Sequence, residues 1–423
     1  MKNTFYVSCP IDTYSGYGAR SRDFVKALVE LNEYDVKIVP QRWGSTPSGF
    51  IDDHIEEWGF VKPLLTSAQL TKKPDIWCQI TVPNEFQPIG KYNIGLTAGI
   101  ETTACAHPWI EGCNRMDIIL TSSTHSKNVF ENTKYDMGNG KELKLEKPIQ
   151  VLIEGANLDI YKPIKKSEIE SLDLFEDIDS IKESFAYLFV GHWMHGNLGE
   201  DRKNVGLLVK AFYELFKNKT KQPALILKTS GAGASLIDKR EIQKRIDSIR
   251  KSVPGGKLPK VYLLHGEFTD KEMNELYNHP KVKAMVSLTK GEGFGRPLLE
   301  FTLTNKPVIA SGWSGHVDFL NNEFTALLGG ELKPIDKSVQ VKDMLIEGSQ
   351  WFNVDHNHVG HFMNDVFKNY KEWSTRGKRQ GYHSRQNFSF EAMKEQLKRI
   401  LETNIPELPK EVKLELPKLK KIK

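Results

Sequence analysis

Glu292-Gly-Phe-Gly-Arg-Pro-Leu-Leu-Glu300 decides how this chain is read, because it sets two carboxylates around a glycine loop that runs into a helix. The apolar run before it, Val282-Lys-Ala-Met-Val-Ser-Leu288, reads as a parallel strand buried on both faces. Gly291, Gly293 and Gly295 allow a sharp turn and a close approach to a ligand. Pro297 suits the start of a helix, where its missing N–H costs nothing. A strand, a glycine loop and a helix N-terminus together make an anion site, since unpaired backbone N–H groups point outward there. With Glu292 in the loop and Glu300 in the first turn of the helix, both face one cleft with a phosphate between them. Carboxylates accept paired sugar hydroxyls, so the implied ligand is a sugar joined to a phosphate. Two glutamates at this spacing also arise by chance, as a solvated Glu292 and a Glu300 that answers the helix dipole.

Taken with the glycines, Pro297 and the next apolar run, Pro307-Val-Ile-Ala310, the segment resembles the Glu-x7-Glu element of the retaining, nucleotide-sugar-dependent glycosyltransferases of family 4. The resemblance implies an α/β chain of the GT-B fold, with two Rossmann-like, doubly wound parallel-sheet domains facing a central cleft. It covers nearly all of residues 1–402. It is strongest at 186–320 and thin at 40–95, where acceptor-binding loops would lie.

The wider sequence is compatible with that reading. At 423 residues the chain is long for one core and comfortable for two. Apolar runs at 5–8, 36–39, 75–79, 93–97, 117–121 and 150–153 alternate with amphipathic segments in the first half, such as 19–31. Runs at 186–190, 224–229, 260–264, 282–288 and 307–310 repeat the rhythm, with helices expected at 205–216, 239–251 and 271–277. Strands alternating with helices imply parallel sheets covered on both faces, with ligands at the carboxyl ends of the strands. Periodicity fades in the polar stretch 164–183. The expected division is therefore 1–183 for an acceptor domain and 184–385 for a donor domain, with a helix at about 386–402 packing back on the first. Residues 403–423 are expected to form a basic, flexible tail that is either solvated chain or an electrostatic contact with anionic lipid or nucleic acid.

Phe5-Tyr-Val-Ser8 opens an apolar strand with no signal-peptide core before it, and no run is long enough to span a bilayer. Cys9, Cys78, Cys105 and Cys113 lack zinc or redox spacing and read as reduced structural thiols. The expected location is cytoplasmic. No cluster has metal-ligand spacing, so neither a bound metal nor a bound cofactor is expected.

After the strand at 186–190 comes Gly191-His-Trp-Met-His-Gly-Asn-Leu-Gly-Glu-Asp-Arg-Lys-Asn204. Arg202 and Lys203 put cations at a helix start, where they oppose the dipole and want a reason. A departing pyrophosphate supplies one. In the resembled family a Gly-Arg and a later Lys-Gly bind the donor diphosphate. Lys203 matches that lysine, while His192 and Asn204 replace the arginine and the second glycine, which makes Arg202 the second clamp. The resemblance further implies that Glu300 accepts from the donor ribose and that Glu292 faces the sugar hydroxyls. The N–H groups of Phe294 and Gly295 would face the sugar or phosphate. His265 and Gly266, in Leu263-Leu-His-Gly-Glu-Phe268, would frame the base. Gly16 and Gly18 would form the phosphate-facing turn of the first domain, and Glu101 and His107 would look in from the acceptor side.

The donor expected is a UDP- or GDP-sugar, and the acceptor a hydroxyl on a glycan, lipid, metabolite or modified DNA base. A DNA-modifying enzyme acting on a hydroxymethylated base is one competing reading. Another, from a different class, is a non-catalytic nucleotide-sugar-binding protein on the same fold. Loss of Glu292, Lys203 or the glycine loop would favour the latter, and all are present.

Overall fold

The structure is a computed structural model and describes residues 2–67, 69–169, 175–231, 233 and 235–408. The tail from 409 onward lies outside the described residues. The first half builds a sheet from β1 (Thr4–Cys9), β2 (Asp35–Pro40), β3 (Ile76–Ile80), β4 (Tyr92–Thr97) and β5 (Ile118–Thr121). A two-stranded hairpin, β6 (Lys134–Asp136) and β7 (Glu142–Lys144), then precedes its last strand, β8 (Ile149–Val151). The order is β2-β1-β3-β4-β5-β8 and every pairing is parallel.

The second half uses β9 (Ala186–Val190), β10 (Ala224–Lys228), β11 (Lys260–Leu264), β12 (Val282–Ser287), β13 (Val308–Ser311) and β14 (Ala326–Leu328). Their order is β11-β10-β9-β12-β13-β14, again parallel throughout. Sequence periodicity missed β14, whose three residues are too few to show a period. It also missed the antiparallel hairpin of β15 (Gly330–Pro334) and β16 (Gln350–Val354), because β15 is exposed along its length.

Both sheets are buried on both faces, which is why their strands read as continuous apolar runs. In β9 the side chains of Tyr187 and Phe189 enter one core, and those of Ala186 and Leu188 enter the other. In the first sheet Ile118 and Leu120 pack on one side and Ile119 on the other. Strand order reverses between β1 and β3 in the first sheet and between β9 and β12 in the second. Such points leave a crevice at the carboxyl ends of the strands, and the loops carrying the candidate residues grow from them.

The chain crosses between halves twice, and the two crossings pair. The Ala156 N–H donates to the Phe388 carbonyl at 2.9 Å, and the Phe390 N–H to the Ala156 carbonyl at 2.9 Å. The last described helix, Phe390–Asn404, returns to the first core, where it buries Met393, Leu397, Ile400 and Leu401. Arg20, fully buried, donates to the carbonyls of Ile153, at 2.7 Å, and Leu152, and so ties the first helix to the outgoing crossing. The polar stretch read as the boundary hides apolar residues. Ile169, Phe175, Ile178 and Ile181 all pack into the second core.

Candidate active site in the interdomain cleft

The loop after β12 is held from both sides. The Glu292 N–H donates to Ser314 Oγ at 2.9 Å, and the Gly315 N–H donates to the Glu292 carbonyl at 2.9 Å. Gly295, at φ 98°, turns the chain into the helix Arg296–Thr302 in a left-handed conformation that favours glycine. Phe294 anchors the loop, with its ring 5.1 Å from that of Phe319.

This rigid loop holds the Glu292 carboxylate, 7% exposed, between two cations. Lys203 Nζ lies 2.6 Å from Oε1, and Arg202 Nη1 lies 3.1 Å from Oε2. Arg202 also donates to the Gly291 carbonyl at 2.6 Å and reaches across the cleft toward Glu101, 3.7 Å away. Burial pushes the Glu292 carboxyl up, but the neighbouring Lys203 and Arg202 charges outweigh it and hold the group at about 2. Four residues named from sequence alone, Glu292, Lys203, Arg202 and Glu101, thus meet in one ionic cluster. Asn204 stands at φ 57°, which explains how it replaces a glycine, since asparagine tolerates the left-handed region better than most residues.

The other named residues sit around this cluster in different ways. Gly191 has Lys203 lying against it, 3.7 Å from where a Cβ would be. Gly16 and Gly18 open the helix Gly16–Leu31, and the Gly18 N–H donates to Ser15 Oγ at 2.9 Å. A Cβ on Gly18 would fall 2.2 Å from the Thr13 carbonyl, whereas one on Gly16 would meet nothing. His265 holds its Nε2 2.8 Å from Asp238 Oδ2, while Lys228 Nζ donates to the Gly266 carbonyl at 2.6 Å. His107 opens the helix His107–Asn114, where its contacts are Glu111 at 3.6 Å and the ring of Tyr135. None of these joins it to the Glu292 cluster.

Glu300 departs from the sequence reading. It lies one turn inside the helix instead of in its first turn, and its Oε1 accepts from Arg296 Nε at 3.0 Å. Burial raises its carboxyl to about 8 despite that guanidinium. The loop glycines also face backbone of the first domain. A Cβ on Gly291 would sit 2.0 Å from the Glu101 carbonyl, and one on Gly293 2.3 Å from that of Ala98. Their missing side chains admit the backbone of the first domain, so the cleft is closed on glycine. Gly293→Ala should therefore hold the cleft open, because backbone on both sides cannot yield. Small-angle scattering would show a larger radius of gyration than wild type, and an unchanged radius would refute this.

Sequence reasoning missed two histidines at the same seam. His316 is fully buried; its Nε2 lies 2.6 Å from the Ser311 carbonyl, and its Nδ1 has no partner. His125 reaches from the first domain to the ring of Trp313, 4.5 Å between centroids. Burial and the nearby His316 depress His125 to about 4, so it is neutral at physiological pH. His125 stands in Thr121-Ser-Ser-Thr-His-Ser-Lys127, where Ser123 caps the following helix and nothing local marks the histidine. Among the described residues, no group of three His, Cys, Asp or Glu is placed to hold a metal ion. No described helix is long and apolar enough to cross a membrane.

Two doubly wound sheets closed over a cleft, with an ionic cluster at the switch point of the second, define a GT-B fold. No family model and no curated protein matches the chain in sequence. In structure it is similar to a glycosyltransferase from Rickettsia africae, with TM-score 0.67, 13% identity, and 96% of this chain and 99% of that one covered. It is similar to Anabaena HepE in complex with UDP and glucose, with TM-score 0.59, 12% identity, and 95% and 100% covered. It is also similar to a UDP-forming α,α-trehalose-phosphate synthase from Burkholderia xenovorans in complex with glucose-6-phosphate, with TM-score 0.61, 10% identity, and 95% and 100% covered.

Proposed function

We propose that the chain is a retaining glycosyltransferase that moves a sugar from a nucleoside diphosphate sugar to a hydroxyl acceptor. The observation that carries this reading is the buried Lys203–Glu292–Arg202 cluster at the switch point of the second sheet. Two cations held there by one carboxylate are a diphosphate site in its resting state. When the donor enters, its phosphates take the cations. Glu292 is then released to accept hydrogen bonds from the sugar hydroxyls, and Glu300 faces the ribose.

In the transfer step the bond between the sugar's anomeric carbon and the diphosphate oxygen breaks. The acceptor oxygen bonds to that carbon on the same face, and its proton passes to the departing phosphate oxygen. Lys203 and Arg202 stabilise the charge that grows on the leaving group, so the electrostatic task falls to side chains and not to a metal ion. Glu101 approaches from the first domain as the acceptor-side group. The UDP bound by HepE and the UDP formed by the trehalose-phosphate synthase favour UDP over GDP as the nucleotide. The free, buried cysteines are in keeping with a cytoplasmic setting.

A thermal-shift comparison of UDP, GDP, ADP and their sugar conjugates tests the reading. A ligand at a hundredfold over its Kd stabilises the folded state by about 2.7 kcal/mol, which in a protein this size should raise the melting temperature by roughly 3 °C. A shift with UDP is expected. A folded protein that responds to none of the three nucleotides would overturn the proposal.

A further inference from the structure

Arg296 occupies the first position of the helix Arg296–Thr302, where a cation opposes the helix dipole. Something must offset that, and the partners are carboxylates from both sides of the cleft. Its Nε donates to Glu300 Oε1 at 3.0 Å within its own helix. Its Nη1 donates to Asp23 Oδ2 at 2.5 Å and lies 4.0 Å from Glu154 Oε2. Asp23 is on the first helix of the first domain and Glu154 on the outgoing crossing. One planar guanidinium therefore grips the second domain's carboxylate with one edge and the first domain's with another. All four groups are largely buried when the cleft is closed.

We infer that Arg296 is a positioning residue that ties the orientation of Glu300 to closure of the cleft. The inference rests on reading Glu300 as the ribose acceptor. Arg296 on Oε1 and the Tyr161 hydroxyl on the same carboxyl fix its plane, which sets the remaining lone pairs toward a ribose hydroxyl. When the domains part, Nη1 loses Asp23, the guanidinium is free to turn on Glu300, and the acceptor geometry is lost. Nucleotide binding thereby favours closure and closure favours nucleotide binding, the reciprocity any such coupling obeys. The cavity of about 390 Å³ that Arg296, Asp23 and Asp270 border gives the guanidinium room to swing. Lysine cannot replace the fork, because a point charge serves one carboxylate at a time.

The decisive variant is Asp23→Asn, which alters only the first-domain end of the link. Two readouts are compared with wild type, the radius of gyration without ligand and the Kd for UDP by calorimetry. The expected result is a larger radius and about tenfold weaker UDP binding, within the 5- to 150-fold range of such couplings, together with a lower melting temperature from the broken ion pair. Arg296→Lys should behave like Asp23→Asn, and combining the two should add little. If Asp23→Asn leaves radius and UDP affinity as in wild type, the link is refuted even though the site reading stands. If wild-type protein binds neither UDP, GDP nor ADP, the ribose role falls together with the reading it rests on. The radius then decides only whether Arg296 holds the domains together.

Discussion

Glu292→Gln should reduce sugar transfer by about a hundred- to a thousandfold and destabilise the protein at the same time. The first effect follows from the electrostatics of the transition state, where losing one preorganised charged contact typically costs 10²–10³ in rate. The second follows from burial. Glutamine keeps the shape but leaves Lys203 and Arg202, both close against the lost charge, without their anion. Removing one partner of a buried ion pair costs about 3–5 kcal/mol. The loss has a pH signature. Glu292 sits at about 2 in the folded protein, below its ordinary value of 4.5. Its contribution to stability is thus complete above about pH 4.5 and disappears as pH falls toward 2, amounting to roughly 3 kcal/mol at about 1.4 kcal/mol per unit. Denaturant titrations of both proteins at several pH values isolate it, since wild type should lose this much more than Glu292→Gln over that window. Parallel pH profiles would mean that Glu292 is not charged in the cluster, and retained activity would remove it from the chemistry.

Much of this was legible before any coordinates, and the reasons are local. The strand, glycine loop and helix around Glu292 are specified by contiguous residues whose backbone demands differ sharply: an apolar run, a left-handed Gly295 and a proline in the first turn. Arg202 and Lys203 were legible because cations at a helix start are out of place without an anion. What escaped was what depends on the far domain. Arg296 and Asp23 are 273 residues apart, and nothing in either local sequence announces the pairing. The approach of first-domain backbone to Gly291 and Gly293 was illegible for the same reason, since a glycine that admits a ligand and one that admits another backbone look identical in sequence. His316 and His125 likewise acquire meaning only when the seam is closed. Glu300 shows a subtler error, because a shift of one residue in where a helix starts decides whether a carboxylate meets free N–H groups or an arginine at i−4.

Lys203→Ala should cost a similar factor in transfer, about 10² to 10³ in kcat, but with a different signature that separates the two cations. Arg202 is committed to structure, since it donates to the Gly291 carbonyl at 2.6 Å and faces Glu101 at 3.7 Å across the cleft. Lys203 makes its short contact to Glu292 alone, at 2.6 Å, and a flexible stem lets its ammonium change partners. It is the cation best able to leave Glu292 for a diphosphate and follow the charge as the bond breaks. Lys203→Ala should therefore lower kcat strongly and weaken nucleotide binding. Arg202→Ala should lower kcat less and, in addition, loosen the closed form and lower the melting temperature. In Lys203→Ala the Glu292 carboxyl also rises toward its ordinary range, so the acid-side stability loss begins at higher pH than in wild type. Steady-state kinetics with the donor identified by thermal shift, alongside melting curves, distinguishes the roles. A Lys203→Ala protein that keeps more than about a tenth of wild-type kcat, or an Arg202→Ala protein that loses more kcat than it does, would reverse the assignment.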